Sequence, residues 1–338
     1  MAEPILIWGA GAIGGTLGAY WARAGLDVLL VDIVEEHVAR CAGEGLRISG
    51  PVDSFSVRVP AVTPDVLRGR FERIILAVKA QHTVEATRML KPHLAENGFV
   101  LSAQNGLNEI EIADAIGAEN TMGAFVNFGA DWHGPGEILY GNRGAVVVGE
   151  IDGSIRARTR AMHEALRIFE PDAVLTDDIW AYLWGKLGYG AMLFGTALTM
   201  DSMSDNFADP KRERAWVALA REVMAVAVAR GVKPRGFNGY EPAAFMPGAG
   251  LDAARACIAT LAEFNRHTAK THSGIWRDLA VRKRRTEVDA QIGIITRLGV
   301  ESGVRTPAIT RLVELIHDIE DGRREQSMDT LGELLRVC

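Results

Sequence analysis

The stretch PILIWGAGAIGG, Pro4 to Gly15, decides the fold. An unbroken apolar run, Pro4 to Trp8, reads as a strand and passes directly into Gly9-Ala10-Gly11-Ala12-Ile13-Gly14, a G-x-G-x-x-G spacing. In such a turn the first glycine allows the tight bend, the second lets backbone approach a pyrophosphate, and the third lets the following helix pack closely on the strand. The helix N-terminus then offers free N–H groups to the anion. Alone, the spacing describes only a glycine-rich turn. Here a strand precedes it, a helix pattern from Ile13 to Ala24 follows, and a second strand, Asp27 to Val31, ends at Asp32, eighteen residues past Gly14. That order predicts dinucleotide binding by Gly9, Ala10, Gly11, Ala12, Ile13, Gly14 and Asp32.

Asp32 also selects the dinucleotide. A carboxylate at that place accepts hydrogen bonds from ribose hydroxyls and repels a 2′-phosphate. The next residues, Ile33-Val34-Glu35-Glu36, add negative charge and no arginine. NAD is therefore expected over NADP, and no second flavin signature accompanies the turn.

Further strands are expected at Arg73–Val78, Phe99–Ser102 and Ala145–Val148, the last following a turn-rich GPGEILYGNRG. Apolar strands separated by helices predict a doubly wound parallel sheet of Rossmann type, covered on both faces. From about Ser154 helical periodicity takes over, through Ala215–Arg230, Leu251–Lys270, Arg277–Leu298 and Ala308–Asp321, with a Gly- and Pro-rich loop over Gly231–Gly250. The fold class expected is α/β: a nucleotide-binding domain over 1–171 and an all-helical domain over 172–338, joined near Pro171-Asp172.

The chain has 338 residues, 48% hydrophobic and 24% charged, and a formal net charge of −6. This balance argues against a nucleic-acid footprint, which needs clustered cations; the short basic run Arg282-Lys283-Arg284-Arg285 reads as a solvated helix face. Cys41, Cys257 and Cys338 are far apart and match no disulfide or metal spacing, so no metal is expected and a reducing cytoplasm fits. The apolar window Ile179–Met200 approaches the length of a membrane span, but its four glycines, central Lys186 and acidic flanks fit a span poorly.

Two polar positions lie just past strand ends, where open α/β sheets bind ligands: Lys79 after IILAV, and Asn105 after FVLSAQ. Either could hold cofactor or substrate; a solvated lysine and an Asn-Gly turn are the plainer readings. Lys186, alone in its apolar run, reads by itself as a side chain reaching outward to solvent.

GAGAIG, the VKA around Lys79, QNG at Gln104–Gly106, GPGEILYGNRG, WGKL at Trp184–Leu187 and RRTEVD at Arg284–Asp289 together resemble the 2-dehydropantoate 2-reductase (ketopantoate reductase) family, in order over nearly the whole chain. The resemblance implies a nucleotide-binding domain joined to a helical one, with hydride transfer to C2 of a 2-oxo acid, or the reverse from a 2-hydroxy acid. It implies Lys186 as proton donor to the carbonyl oxygen and Glu287 as the acid orienting substrate or ribose. It also implies Lys79 and Asn105 as contacts to cofactor and substrate, and Ala130 as a backbone contact to the cofactor.

Several positions depart from the family pattern. Asparagines usual four and eight residues after the lysine are replaced by Gly190 and Phe194, on one helical face with Lys186. The serine preceding the RRTE segment is shifted to Ser273, and Asp32 stands where members preferring NADPH carry arginine. A site that has exchanged two amides for an aromatic ring no longer grips a substrate hydroxyl. A substrate other than ketopantoate is one consequence; an opine-like dehydrogenase acting on an imine or larger hydroxy acid, or a dinucleotide-binding regulator without turnover, are the alternatives. Apolar neighbours lower the Lys186 pKa and Glu287 raises it, and sequence leaves the balance open. The apolar helical half has material for a homodimer interface without requiring one.

Overall fold

In the computed structural model, residues 3–268 and 270–338 are described, and the chain divides into two compact units, Met1–Ile179 and Trp180–Cys338. The first begins with β1 (Ile5–Trp8), buried throughout. Ile5 and Ile7 enter one core while Leu6 and Trp8 enter a second on the opposite face. Successive strand side chains point to opposite faces, so a run apolar at every position belongs to a sheet covered on both.

The elements continue as α1 (Ala12–Arg23), β2 (Val28–Val31), α2 (Glu35–Gly43), β3 (Leu46–Ser49), β4 (Phe55–Val57), β5 (Ala61–Val62), β6 (Phe71–Leu76), α3 (Thr83–Leu90), β7 (Leu94–Ser102) and α4 (Asn108–Ile116). After these come β8 (Thr121–Val126), β9 (Gly129–Gly134), β10 (Glu137–Asn142), β11 (Val146–Glu150), α5 (Ala157–Phe169) and β12 (Val174–Leu175). The main sheet runs β12-β11-β8-β7-β6-β1-β2-β5. The chain leaves β1 toward β2 and later returns to β6 on the other side, so strand order reverses between β1 and β6. Ligands of doubly wound sheets bind at such a reversal.

The expected doubly wound sheet is present, with two corrections. β11 pairs antiparallel with β8, so the sheet is mixed at that end. GPGEILYGNRG is not merely a turn: β9 and β10 form a hairpin through Gly136, whose φ is +72°, and join β3 and β4 in a second, four-stranded sheet. Ile138 and Tyr140 are buried while Glu137 is exposed, an alternation too short to compete with the flanking glycines as a sequence signal.

The second unit is all-helical, as expected: α6 (Ile179–Thr196, its first residue in the first unit), α7 (Met203–Ala208), α8 (Glu213–Ala229), α9 (Leu251–Arg266), α10 (Gly274–Ala280), α11 (Ile294–Glu301), α12 (Pro307–Glu320) and α13 (Met328–Leu335). α6 is apolar because Leu183, Trp184, Leu187, Ala191 and Met192 are buried, and among the described residues no helix is long and apolar enough to cross a membrane. α9 ends before the expected Lys270, and Ala269 lies outside the described residues.

The helix expected over Arg277–Leu298 is broken. α10 stops at Ala280, Lys283 adopts φ +51°, and the chain resumes in a π-helical turn, Asp289–Gly293, that leads into α11. Side-chain bonds hold the break. Arg282 and Arg284 pair with Asp278 at 2.9 and 2.8 Å, and Arg285 pairs with Glu320 and Asp321. Thr286 gives both its amide and its hydroxyl to Glu320 Oε1 at 2.7 Å. The basic run is thus a set of clamps between helices, which periodicity cannot reveal.

Candidate active site

In the first unit, the end of β1 turns at Gly9 with φ +100°, and a Cβ there would lie 2.8 Å from the Val78 amide nitrogen. A Cβ on Gly14 would lie 2.0 Å from the Gly9 carbonyl oxygen. Both positions exclude every other residue. At Gly11 a Cβ would meet nothing within 4 Å, so the second glycine keeps a space beside the helix start clear. Gly11 caps α1 without a side chain and no acid lies in the first turn, leaving the N–H groups and helix dipole available to an anion. These features fit the pyrophosphate of a dinucleotide.

Asp32 closes the turn from the side. Its Oδ2 accepts the Ala10 amide at 2.9 Å and its Oδ1 the Val34 amide at 3.0 Å. A carboxylate has lone pairs beyond these two, so ribose hydroxyls can still be accepted. His37, which the sequence reading passed over, stands behind the same turn: its Nδ1 accepts the Gly136 amide at 2.9 Å and its Nε2 donates to the Ala10 carbonyl at 2.8 Å. The ring is therefore a neutral Nε2–H tautomer tying the second sheet to the glycine turn. Only the unforeseen hairpin makes that bond, so no local pattern announces it. Ala130 lies at the start of β9, its side chain packed against the first core.

Lys79 and Asn105 are exposed on neighbouring loops at the same sheet edge. A buried chain joins those loops. Gln104 Nε2 donates to the Val78 carbonyl at 2.9 Å and to Thr83 Oγ1 at 2.8 Å. Thr83 Oγ1 donates to Asn108 Oδ1 at 2.8 Å, and Asn108 Nδ2 donates to the Asn105 carbonyl at 2.8 Å. Thr83 and Asn108 carry no motif signal; their role follows from the parallel pairing of β6 with β7.

In the second unit, Lys186 is half-buried on α6. Desolvation pulls its ammonium from 10.5 to about 8; Glu287 opposes this and Lys270 adds to it. Four residues on, a Cβ at Gly190 would meet nothing within 4 Å, so the face carrying the lysine has open space where a side chain could stand. Phe194, expected to line that face, is enclosed at 1% exposure. Ser273, expected to meet substrate, is buried and caps α10 by accepting the Trp276 amide at 3.1 Å. Among the predicted residues, the structure thus gathers Gly9–Gly14, Asp32, Lys79 and Asn105 at one sheet edge, and sets Lys186 in the field of Glu287.

The first unit carries a glycine turn that fits a dinucleotide, and the second a desolvated lysine in the field of Glu287; each is a feature that a nucleotide-dependent oxidoreductase would use. Residues 5–153 match the family model described as ketopantoate reductase PanE/ApbA, and residues 178–320 match its C-terminal model. The chain belongs to the ketopantoate reductase family and is an NAD(P)-dependent oxidoreductase. It is 28% identical over 321 residues to the 2-dehydropantoate 2-reductase of Archaeoglobus fulgidus, covering 95% of this chain and 99% of that one. With the Streptococcus pyogenes serotype M1 enzyme of the same name it shares 24% over 315 residues, covering 93% and 96%. Among solved structures, D-mandelate dehydrogenase with NADH and anilino(oxo)acetate superimposes with a TM-score of 0.80 at 23% identity, covering 94% and 99%. The PanE/ApbA family ketopantoate reductase of Ralstonia eutropha JMP134 gives 0.78 at 26%, covering 95% and 100%.

Proposed function

We propose that the chain interconverts a 2-oxo acid and its 2-hydroxy acid with NAD(H), and that the acid carries a bulky apolar side chain instead of ketopantoate's hydroxyl-bearing one. The observation that carries this reading is Lys186, lowered to about 8 beside Glu287, on a face left open at Gly190. The bound nicotinamide supplies the hydride for C2. Lys186 Nζ then gives its proton to the carbonyl oxygen and stabilises the charge growing there; Glu287 keeps enough of the ammonium protonated for this near neutral pH. Lys79 and Asn105 hold the cofactor and the acid, with Ala130 offering backbone to the cofactor.

NAD is favoured by Asp32, whose carboxylate sits against the Ala10 amide. The absence of an amide at Gly190 removes a partner for a substrate hydroxyl and leaves volume, which supports the apolar substrate. A neighbour of the same fold, D-mandelate dehydrogenase, was solved with NADH and anilino(oxo)acetate, which agrees with this direction. A cytoplasmic homodimer completes the reading: the cysteines are free, and a dimeric ketopantoate reductase of Staphylococcus aureus shares the fold.

The test is a panel of 2-oxo acids, aliphatic, aromatic and hydroxylated, with NADH and NADPH side by side. Highest kcat/KM for an aromatic or branched acid with NADH is expected. Preference for ketopantoate with NADPH, or tight NADH binding with no turnover, would sink the proposal.

A further inference from the structure

Glu109, in the first turn of α4, has 0% exposure, and neither carboxyl oxygen has a hydrogen-bond partner. Gly123 of β8 makes room for it: a Cβ there would lie 3.4 Å from Glu109 Oε1 and 3.0 Å from Ile179 Cγ1. A buried carboxylate without a partner is costly, and such a group normally keeps its proton. Burial pushes this one from 4.5 up to about 8; its own amide and the Ser102 hydroxyl would oppose this only by turning to the ionised form, and no charged side chain contributes.

The neighbouring hydrogen bonds ask for the same protonation state. Ser102 Oγ donates its one hydrogen to Gln104 Oε1 at 3.4 Å. Gln104 spends both amide hydrogens on the Val78 carbonyl and Thr83, and Thr83 passes its own to Asn108, which holds the Asn105 carbonyl. Every donor in the chain is thus committed away from Glu109. Ser102 has only lone pairs left to show it, which a carboxylic acid tolerates and a carboxylate does not. Ionised, Glu109 draws the Ser102 hydrogen to itself and leaves Gln104 Oε1 without its donor.

We infer that Glu109 is a positioning residue, held as a neutral carboxylic acid, whose proton keeps the Ser102–Gln104–Thr83–Asn108 chain in the polarity that fixes the loop bearing Asn105. Its effect on the cofactor rests on the reading of Asn105 as a nicotinamide or substrate contact. Loss of the proton loosens that loop and weakens dinucleotide binding at alkaline pH.

Two measurements on the full chain test this. Infrared difference spectra between wild type and Glu109→Gln report the carboxyl directly. A protonated C=O stretch at pH 7 that is replaced by carboxylate bands by pH 9.5 is expected; carboxylate bands already at pH 7 overturn the inference, whether or not cofactor binds. NADH affinity by fluorescence is then followed from pH 6.5 to 9.5 in a Lys186→Met background, which removes the other group titrating near 8. A several-fold loss centred near pH 8, abolished by adding Glu109→Gln, is expected. The same loss with Glu109→Gln present, or a flat profile with Glu109 retained, overturns the positioning role. No NADH binding at any pH is instead a failure of the dinucleotide assignment, and the infrared result still decides the protonation state.

Discussion

Asp32 Oδ2 accepts the main-chain amide of Ala10 at 2.9 Å, so the residue proposed to select the cofactor also braces the glycine turn. Its replacement therefore has two effects. Asp32→Ala should lower kcat/KM with NADH about 10- to 100-fold, as expected for a lost charge-assisted hydrogen bond of about 1.5–3 kcal/mol. With NADPH the fall should be smaller, because a repulsive charge is removed as well. Steady-state kinetics with both cofactors measure this; an unchanged NADH/NADPH ratio would refute the role of the carboxylate in selection.

As the proposed proton donor in reduction, Lys186 must be charged to act. Its pKa of about 8 gives a sign for each direction: reduction slows as pH rises through 8, and oxidation of the 2-hydroxy acid speeds up over the same range. Lys186→Met should cost roughly 10²- to 10⁴-fold in kcat, the usual size of general acid catalysis, with NADH binding retained.

Glu287 raises the Lys186 pKa against the larger effect of burial. Glu287→Gln should shift the alkaline limb of the reduction profile downward by about one pH unit. A pH–rate profile of kcat reads this directly, and an unmoved limb would show that Glu287 does not act on the lysine during turnover.

Gly190 sits in a helix with open space at its Cβ position. Gly190→Asn should therefore fold, with a helix-propensity gain of roughly a few tenths of a kcal/mol only, while kcat/KM shifts from bulky apolar acids toward a hydroxylated one. A thermal melt with the substrate panel checks both parts.

Glu109 links pH to stability. Its pKa is about 8 in the folded chain against an ordinary value of 4.5, so the folded state holds a proton that the unfolded state has shed. Stability accordingly falls as pH rises from about 4.5 to 8 and then levels. Glu109→Gln should remove that slope, a relative gain of roughly 3 kcal/mol at pH 7, measured by urea unfolding across the range. Parallel slopes in the two proteins would contradict it.

The nucleotide-binding half was legible because its signals are local. An apolar run, three glycines at fixed spacing and an acid at the end of the next strand are consequences of one turn and its two flanking elements. The family segments around Lys79, Asn105, Lys186 and Glu287 were legible as short words for the same reason. The second sheet was not, since β9 and β10 alternate too briefly, and neither was the break at Lys283 (φ +51°), where ion pairs to α10 and α12 overrule helical periodicity.

Sequence by itself determined the change from alternating strands and helices to helices alone, the glycine turn with Asp32, and the placing of one lysine in an apolar helix. Tertiary structure alone decided what those residues experience. It set the sign of the Lys186 shift, enclosed Phe194, turned Ser273 into a helix cap, put His37 behind the glycine turn, and left Glu109 without a partner. Desolvation and hydrogen-bond satisfaction depend on groups distant in the chain, such as Gly136 against His37 and Gly123 against Glu109, and no spacing along the sequence records them.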